Sequence, residues 1–128
     1  MSELRFVRPT SGPPPVGPYS PAVIAGNLVF VSGQIPRDAS GKVVGDSIEA
    51  ATRQALDNLR AVLASAGCMP SDVVKTTVFM TDLADFAAMN KTYAEFFGPH
   101  TPARSTVQVA KLPAGARVEI ECIAARGS

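Results

Sequence analysis

The sequence predicts an α+β domain in which one β-sheet carries two helices on a single face. β-rich runs come before, between and after two segments of helical periodicity, in the order of two strands, a helix, a strand, a helix and two strands. Two helices are enough to cover one face of a sheet. The segment between Val31 and Val73 is long enough for a crossover connection that contains the first helix.

The N-terminal third of the chain supplies the first two strands of this order, a possible additional edge strand and one extended segment. Residues Leu4–Val7 read as a short edge strand, and residues 22–24 and 28–31 as a hairpin joined at 25–27. Residues 11–21 hold consecutive prolines, which fix φ and remove backbone donors, so this part is expected to be an extended strap. With no repeat and no linker, we expect a single domain over 1–128, in which 1–16 form the N-terminal edge segment and strap.

Apolar residues at helical spacing predict the first helix at about 47–66. Asp46 is the expected N-cap, with Glu49 completing a capping box, and Gly67 fits the position that follows the helix. The β-branched run Val73–Met80 then predicts a strand.

The second helix is expected to start after Thr81 or Asp82 and to stop at residues 98–99, a Gly-Pro pair. Two strands, 104–109 and 117 to about 124, follow it and are separated by a turn at 112–115.

Several strands are apolar on both faces, whereas the two helices cover only one. Leu28 and Phe30 alternate with Val29 and Val31 in the strand at 28–31. A strand that is apolar on both sides requires cover on both sides. Either a second copy of the chain covers the open face, which predicts an oligomer, or two sheets pack together within one chain.

Composition excludes several classes of function. The 128 residues carry a formal net charge of +1, which disfavours a dedicated nucleic-acid binder. The chain has no membrane-length apolar run and no phosphate-binding glycine motif, and its charged first residues are not expected to form a signal peptide. Cys68 reads as a loop thiol, Cys122 as a core residue and His100 as an exposed turn histidine. The spacing of these three residues excludes a zinc site. These observations predict a cytoplasmic domain without a metal or other cofactor.

The last two predicted strands bear the polar residues most suited to chemistry. Arg104, Thr106 and Gln108 alternate along one, and Arg117, Glu119 and Glu121 along the other. If both sets point to the oligomer-facing side, Arg104 and Glu119 meet in a partly buried cleft. There the guanidinium would bind a carboxylate and the glutamate would transfer protons. An ordinary cross-strand ion pair explains the same alternation.

Short motifs throughout the chain resemble the RidA (YjgF) family. From about Gly17 onward they occur in order and with family-like spacing, and only together are they specific. They are Gly-Pro-Tyr-Ser at 17–20, Val-Ser-Gly-Gln at 31–34, residues 52–59, 74–79, 90–97, Pro-Ala-Arg-Ser at 102–105, Leu-Pro at 112–113 and Val-Glu-Ile-Glu at 118–121.

The resemblance implies a chorismate-mutase-like (YjgF-like) fold, with a mixed sheet and two helices on one face, and a homotrimer with clefts between subunits. It also implies an enamine/imine deaminase, a hydrolase that converts 2-imino acids such as 2-iminopropanoate and 2-iminobutanoate to 2-keto acids and ammonia without a cofactor. The alternatives are a non-catalytic protein that binds small carboxylates in the same cleft and, disfavoured by charge, an RNA-cleaving protein.

The resemblance also assigns roles to individual residues. Arg104 matches the arginine that binds the substrate carboxylate, Glu119 the acid that orients the attacking water, and Tyr19 the tyrosine at the cleft. Thr106 occupies a position where many members have cysteine, so its effect on substrate preference stays open. The expected substrate-binding positions besides Arg104 are Ser32, Gly33, Asn90 and Thr106.

Overall fold

One mixed six-stranded sheet organises the computed structural model, which describes residues 3–8 and 14–127. The strand order is β1-β2-β3-β6-β4-β5, with β4 and β5 parallel and all other neighbours antiparallel. The elements are β1 (Leu4–Val7), β2 (Ala22–Ala25), β3 (Leu28–Gln34), α1 (Ile48–Ser65), β4 (Val73–Met80), α2 (Phe86–Phe97), β5 (Ala103–Gln108) and β6 (Val118–Ala125).

Both helices lie on the same face of the sheet, as the sequence predicts. Helix α1 packs against α2, β6 and β3, and α2 reaches β4 through a hydrogen bond between Tyr93 and Thr76. Alternate residues of β6 are buried on this face, namely Val118, Ile120, Cys122 and Ala124. Strands β3 and β4 are both antiparallel to β6, so the connection through α1 joins two parallel strands with β6 between them.

The helix termini differ slightly from the predicted ones. Ser47, not Asp46, is the N-cap of α1, and its Oγ accepts a hydrogen bond from the Ala50 N–H at 3.0 Å. The extended backbone of Ser47 places the cap one residue later than the sequence pattern indicates. Asp82 caps a short 3₁₀ turn at Leu83–Asp85, so α2 itself starts only at Phe86. Gly98, with φ of +62°, ends it.

The face opposite the helices is open and largely apolar. Phe6 is 62% exposed and Phe30 42% exposed on this face, beside Leu28 and Val107. The expectation of strands that are apolar on both faces is therefore confirmed. Residues 3–8 and 14–127 form a single sheet, so the alternative of two sheets packed within one chain is wrong for this part of the sequence.

The expectation that His100 is exposed is wrong. His100 is half-buried and its Nε2 donates to the Val73 carbonyl at 2.6 Å, which ties the loop after α2 to the start of β4. Cys68 lies in the loop after α1, as predicted, and is buried there, and Cys122 lies in the core as predicted. Residues 9–13, which include the first part of the predicted strap, lie outside the described residues. None of the described helices is both long enough and apolar enough to span a membrane.

Candidate active site

Arg104 and Glu119 lie on opposite faces of the sheet. Arg104 pairs in register with Thr76, which is fully buried under the helices, so Arg104 points to the helix side. Glu119 pairs with Phe79 on the open side. The expectation that the two polar sets share a face is wrong, and β5 and β6 are separated by β4. Alternation defines two sets of residues on each strand, but only the pairing between strands decides which sets share a face.

Within the described part of the chain, the guanidinium of Arg104 is supported by aromatic rings and its donors have no side-chain partner. Its Cζ lies 4.7 Å from the centroid of the Tyr93 ring and 5.6 Å from that of Phe86. Among residues 3–8 and 14–127, no side chain forms a salt bridge or a hydrogen bond with it. An arginine with a fixed, unpaired fork is suited to bidentate binding of a carboxylate.

A cavity of about 420 Å³ opens beside Arg104, between α2 and the loop that leads into β5. The predicted site residue Asn90 contributes to its wall, together with Tyr93 and His100. Its lining also includes the apolar residues Ala94, Phe97 and Pro102. Such a mixture is typical of sites for small organic acids.

On the open face, the Glu119 side chain lies directly over Gly33. A Cβ built on Gly33 would overlap the Glu119 carboxylate and would lie 2.8 Å from its Cδ, so only glycine allows this close approach. Phe79 and Val107 occupy the same row of the sheet. Burial raises the pKa of Glu119, and the nearby charge of Glu121 raises it further. A raised pKa brings a carboxyl closer to proton transfer at neutral pH.

The end of the strap is fixed to the irregular part of β3 that contains Gly33. Ser32 donates its Oγ–H to the Ser20 carbonyl at 2.7 Å and its N–H to the Pro21 carbonyl at 2.9 Å. Tyr19, which is 46% exposed, directly precedes Ser20, whose carbonyl is held by Ser32. Tyr19, Ser32, Gly33 and Glu119 thus belong to one region around β3 and β6, and Arg104, Asn90 and Thr106 to another around α2 and β5.

The hydroxyl of Thr106 does not face the cavity. Its Oγ1 is shielded from solvent and has no hydrogen-bond partner in the described part of the chain. If this position contacts a ligand, it does so through other atoms.

Neither cysteine has the properties of a nucleophile. Burial raises the pKa of Cys122 to about 12 and raises that of Cys68, so both stay as thiols at neutral pH. In residues 3–8 and 14–127, His, Cys, Asp and Glu form no group of three that could hold a metal ion.

Sequence reasoning missed the aromatic support of Arg104. Phe86, Asn90, Tyr93 and Phe97 recur at helical spacing, which indicates one side of α2, but such a stripe reads first as core. Only the pairing of β4 with β5, together with the contact between Arg104 and the Tyr93 ring, shows that this stripe adjoins the arginine.

The fold is that of a class of small α+β domains that includes the YjgF gene product of Escherichia coli. The crystal structure of that protein is similar to this chain with a TM-score of 0.91 and 44% identity, over 96% of this chain and 99% of the other. The model of the family described as Endoribonuclease L-PSP matches residues 10–126. The chain belongs to this family, which confirms the resemblance to RidA (YjgF) proteins.

Two further relatives have informative names. The 2-iminobutanoate/2-iminopropanoate deaminase of Salmonella typhimurium is 46% identical over 119 residues, which are 91% of this chain and 93% of the relative. The crystal structure of Escherichia coli TdcF with bound serine has a TM-score of 0.91 and 40% identity, over 96% of this chain and 99% of that chain.

Proposed function

We propose that the protein is a deaminase that hydrolyses small 2-imino acids to 2-keto acids and ammonia. The observation that carries the proposal is the pair of complementary groups: an arginine with free donors for a carboxylate, and a glutamate whose pKa is raised. The printed name of the Salmonella relative supports this reaction. The small molecule expected to bind is therefore a 2-imino acid or its keto-acid product.

The chemistry requires only binding and proton transfer. Arg104 binds the carboxylate of the imino acid and fixes the imine carbon. Glu119 takes a proton from a water molecule, whose oxygen adds to the imine carbon while the C=N electron pair moves to nitrogen. The protonated Glu119 returns this proton to nitrogen, which gives a neutral carbinolamine. Glu119 then moves the hydroxyl proton of the carbinolamine to nitrogen, the C–N bond breaks with its electron pair leaving on ammonia, and the O–H electron pair forms the keto C=O bond.

Because Arg104 and Glu119 lie on opposite faces of one sheet, a single copy does not bring them together. We propose that Arg104 of one copy faces Glu119 of a second copy, in a homotrimer whose subunits cover one another's open faces. The exposed apolar residues of the open face support such cover, since Phe6 and Phe30 remain 62% and 42% exposed in the single chain. In a closed ring, each cleft then takes its arginine from one subunit and its glutamate from the next. Tyr19, Ser32 and Gly33 belong to the glutamate half, Asn90 and Thr106 to the arginine half.

An oxidase-coupled assay tests the reaction. An amino-acid oxidase supplies the imine, and keto-acid release is compared with and without the protein. We expect Arg104→Ala to abolish the acceleration and Glu119→Gln to lower kcat about 10²-fold or more with less effect on binding. Arg60→Ala is the matched control, because Arg60 also lies over an aromatic ring, that of Phe96 at 4.6 Å, but belongs to α1 and does not line the cavity.

Two results would contradict the proposal. Full acceleration by Arg104→Ala would exclude this arginine as the carboxylate ligand. Binding of 2-oxobutanoate without acceleration of imine hydrolysis would favour the non-catalytic carboxylate-binding protein.

The family description raises RNA cleavage as a second candidate. The net charge of +1 and the single histidine weigh against it, because RNA binding depends on clustered cations and stacking aromatics. The cytoplasmic location and the absence of a cofactor stay predictions from the sequence.

A further inference from the structure

A buried hydrogen bond connects the sheet to the ring under the proposed carboxylate-binding arginine. The Oγ1 of Thr76 lies 2.7 Å from the Tyr93 hydroxyl, and both residues are buried. The Arg104 guanidinium lies over the face of the same Tyr93 ring, with Cζ 4.7 Å from the centroid. We call Thr76, Tyr93 and Arg104 the stack.

The two ends of the stack are also neighbours in the sheet, because Thr76 and Arg104 are register partners on adjacent parallel strands. Thr76 on β4 is hydrogen-bonded to the Tyr93 hydroxyl on α2. The Tyr93 ring in turn contacts the guanidinium of Arg104 on β5. Arginine is long and has many rotamers, so its guanidinium is held only where something supports it. In the described residues the supports are the rings of Tyr93 and Phe86, and only Tyr93 has a polar group that fixes its position.

We propose that Thr76 and Tyr93 are positioning residues that hold the Arg104 guanidinium in its carboxylate-binding orientation. The inference rests on the proposed function, since it assumes that Arg104 binds the substrate carboxylate. Thr76 is fully buried and does not line the cavity, whereas the Tyr93 ring forms part of the cavity wall beside Arg104. A hydroxyl inside the sheet thus sets the affinity for the carboxylate through one aromatic ring.

The inference predicts weaker carboxylate binding with little change in turnover. Arg104 contacts the carboxylate in the ground state and in the transition state alike, so loss of its orientation raises KM more than it lowers kcat. For Thr76→Val we expect the Kd of 2-oxobutanoate to rise about three- to tenfold, a size typical of a lost cation–π support. Tyr93→Phe removes the other hydroxyl of the same bond and is expected to give a similar rise. Thr76→Ser keeps the hydroxyl and is expected to restore the affinity.

Thr52→Val is the matched control. Thr52 is fully buried in α1 and its hydroxyl has no partner among residues 3–8 and 14–127, so its removal leaves the stack intact. We expect unchanged affinity and turnover for this variant. The double variant Thr76→Val/Tyr93→Phe is expected to bind 2-oxobutanoate as weakly as either single variant, because both remove one bond.

Calorimetric binding of 2-oxobutanoate, the oxidase-coupled kcat and the NMR order parameter of the Arg104 Nε–H group provide the readouts. A lower order parameter in Thr76→Val and its recovery in Thr76→Ser support the inference. A general packing defect at residue 76 would not be reversed by restoring the hydroxyl alone. Wild-type affinity and order parameter in both Thr76→Val and Tyr93→Phe would overturn it. Arg104→Ala separates the two proposals. If Arg104→Ala binds 2-oxobutanoate with wild-type affinity, the proposed function fails. If Arg104→Ala does not bind it but Thr76→Val binds it with wild-type affinity, only the positioning role fails.

Discussion

Gly33→Ala tests whether the close contact between Gly33 and Glu119 is needed for catalysis. The backbone of Gly33 is not in the left-handed region, so alanine is acceptable to the main chain. The new Cβ, however, would lie 2.8 Å from Cδ and 3.0 Å from Cγ of Glu119. Carbon atoms in contact prefer a separation of about 3.5–4.0 Å, so the carboxyl must move by about 1 Å or rotate away.

The expected effect follows from that displacement. A catalytic group misplaced by about 1 Å can lose about 10²-fold in rate, which corresponds to about 2.7 kcal/mol in the activation barrier. Stability should change little, because the displaced carboxyl moves toward water and no core contact is lost. We therefore expect kcat to fall about 10²-fold while the melting temperature stays within a few degrees of the wild-type value.

The assay is oxidase-coupled keto-acid release, with thermal unfolding as the check on folding. Gly45→Ala is the matched control, because a Cβ at Gly45 meets no atom within 4 Å and its φ is also outside the left-handed region. That variant should keep full activity. A wild-type kcat in Gly33→Ala would refute the reasoning, and unfolding of Gly33→Ala alone would show that Gly33 acts on the fold and not through Glu119.

Three further predictions concern stability and pH. Asn58 donates to the carbonyls of Ile35 and Arg37 and accepts from Gln54. Asn58→Ala should therefore lower the free energy of unfolding in urea by about 2–3 kcal/mol. Asp57→Ala, at the exposed neighbouring position, should lower it by less than about 0.5 kcal/mol. Thr106→Val removes a shielded hydroxyl that has no partner in the described chain, so the same measurement should show stabilisation by about 1 kcal/mol, and a loss would mean that the hydroxyl is paired. The charge of Glu121 raises the pKa of Glu119, so Glu121→Gln should lower that pKa and shift the acidic limb of the kcat–pH profile to lower pH; an unshifted limb would remove Glu119 as the titrating base.

The local elements were largely predictable because their signals are local. The β-branched run of β4 gave its bounds directly, and the periodicity of α1 gave its bounds to within one residue. The N-cap was misplaced by one residue because Asp46 and Ser47 are both good caps in sequence, and only the backbone geometry selects Ser47.

The relation between strands was not predictable from alternation. Alternation singled out Arg104 and Glu119 as chemically matched groups, but their faces depend on the parallel pairing of β4 with β5 and on the insertion of β6 between β3 and β4. His100 was misread for a similar reason, since its carbonyl partner Val73 is 27 residues away in sequence. Contacts of this kind exist only after the sheet has formed.

Subunit mixing tests the shared cleft most directly. Arg104→Ala and Glu119→Gln are each expected to be inactive alone, because every cleft then lacks one of the two groups. When equal amounts are unfolded and refolded together, a cleft with an intact Arg104 from one subunit and an intact Glu119 from the next should arise in about a quarter of the sites. We predict recovery of about a quarter of the wild-type activity. Activity that stays at the sum of the two inactive variants, in refolded oligomers shown to contain both, would contradict a site divided between copies.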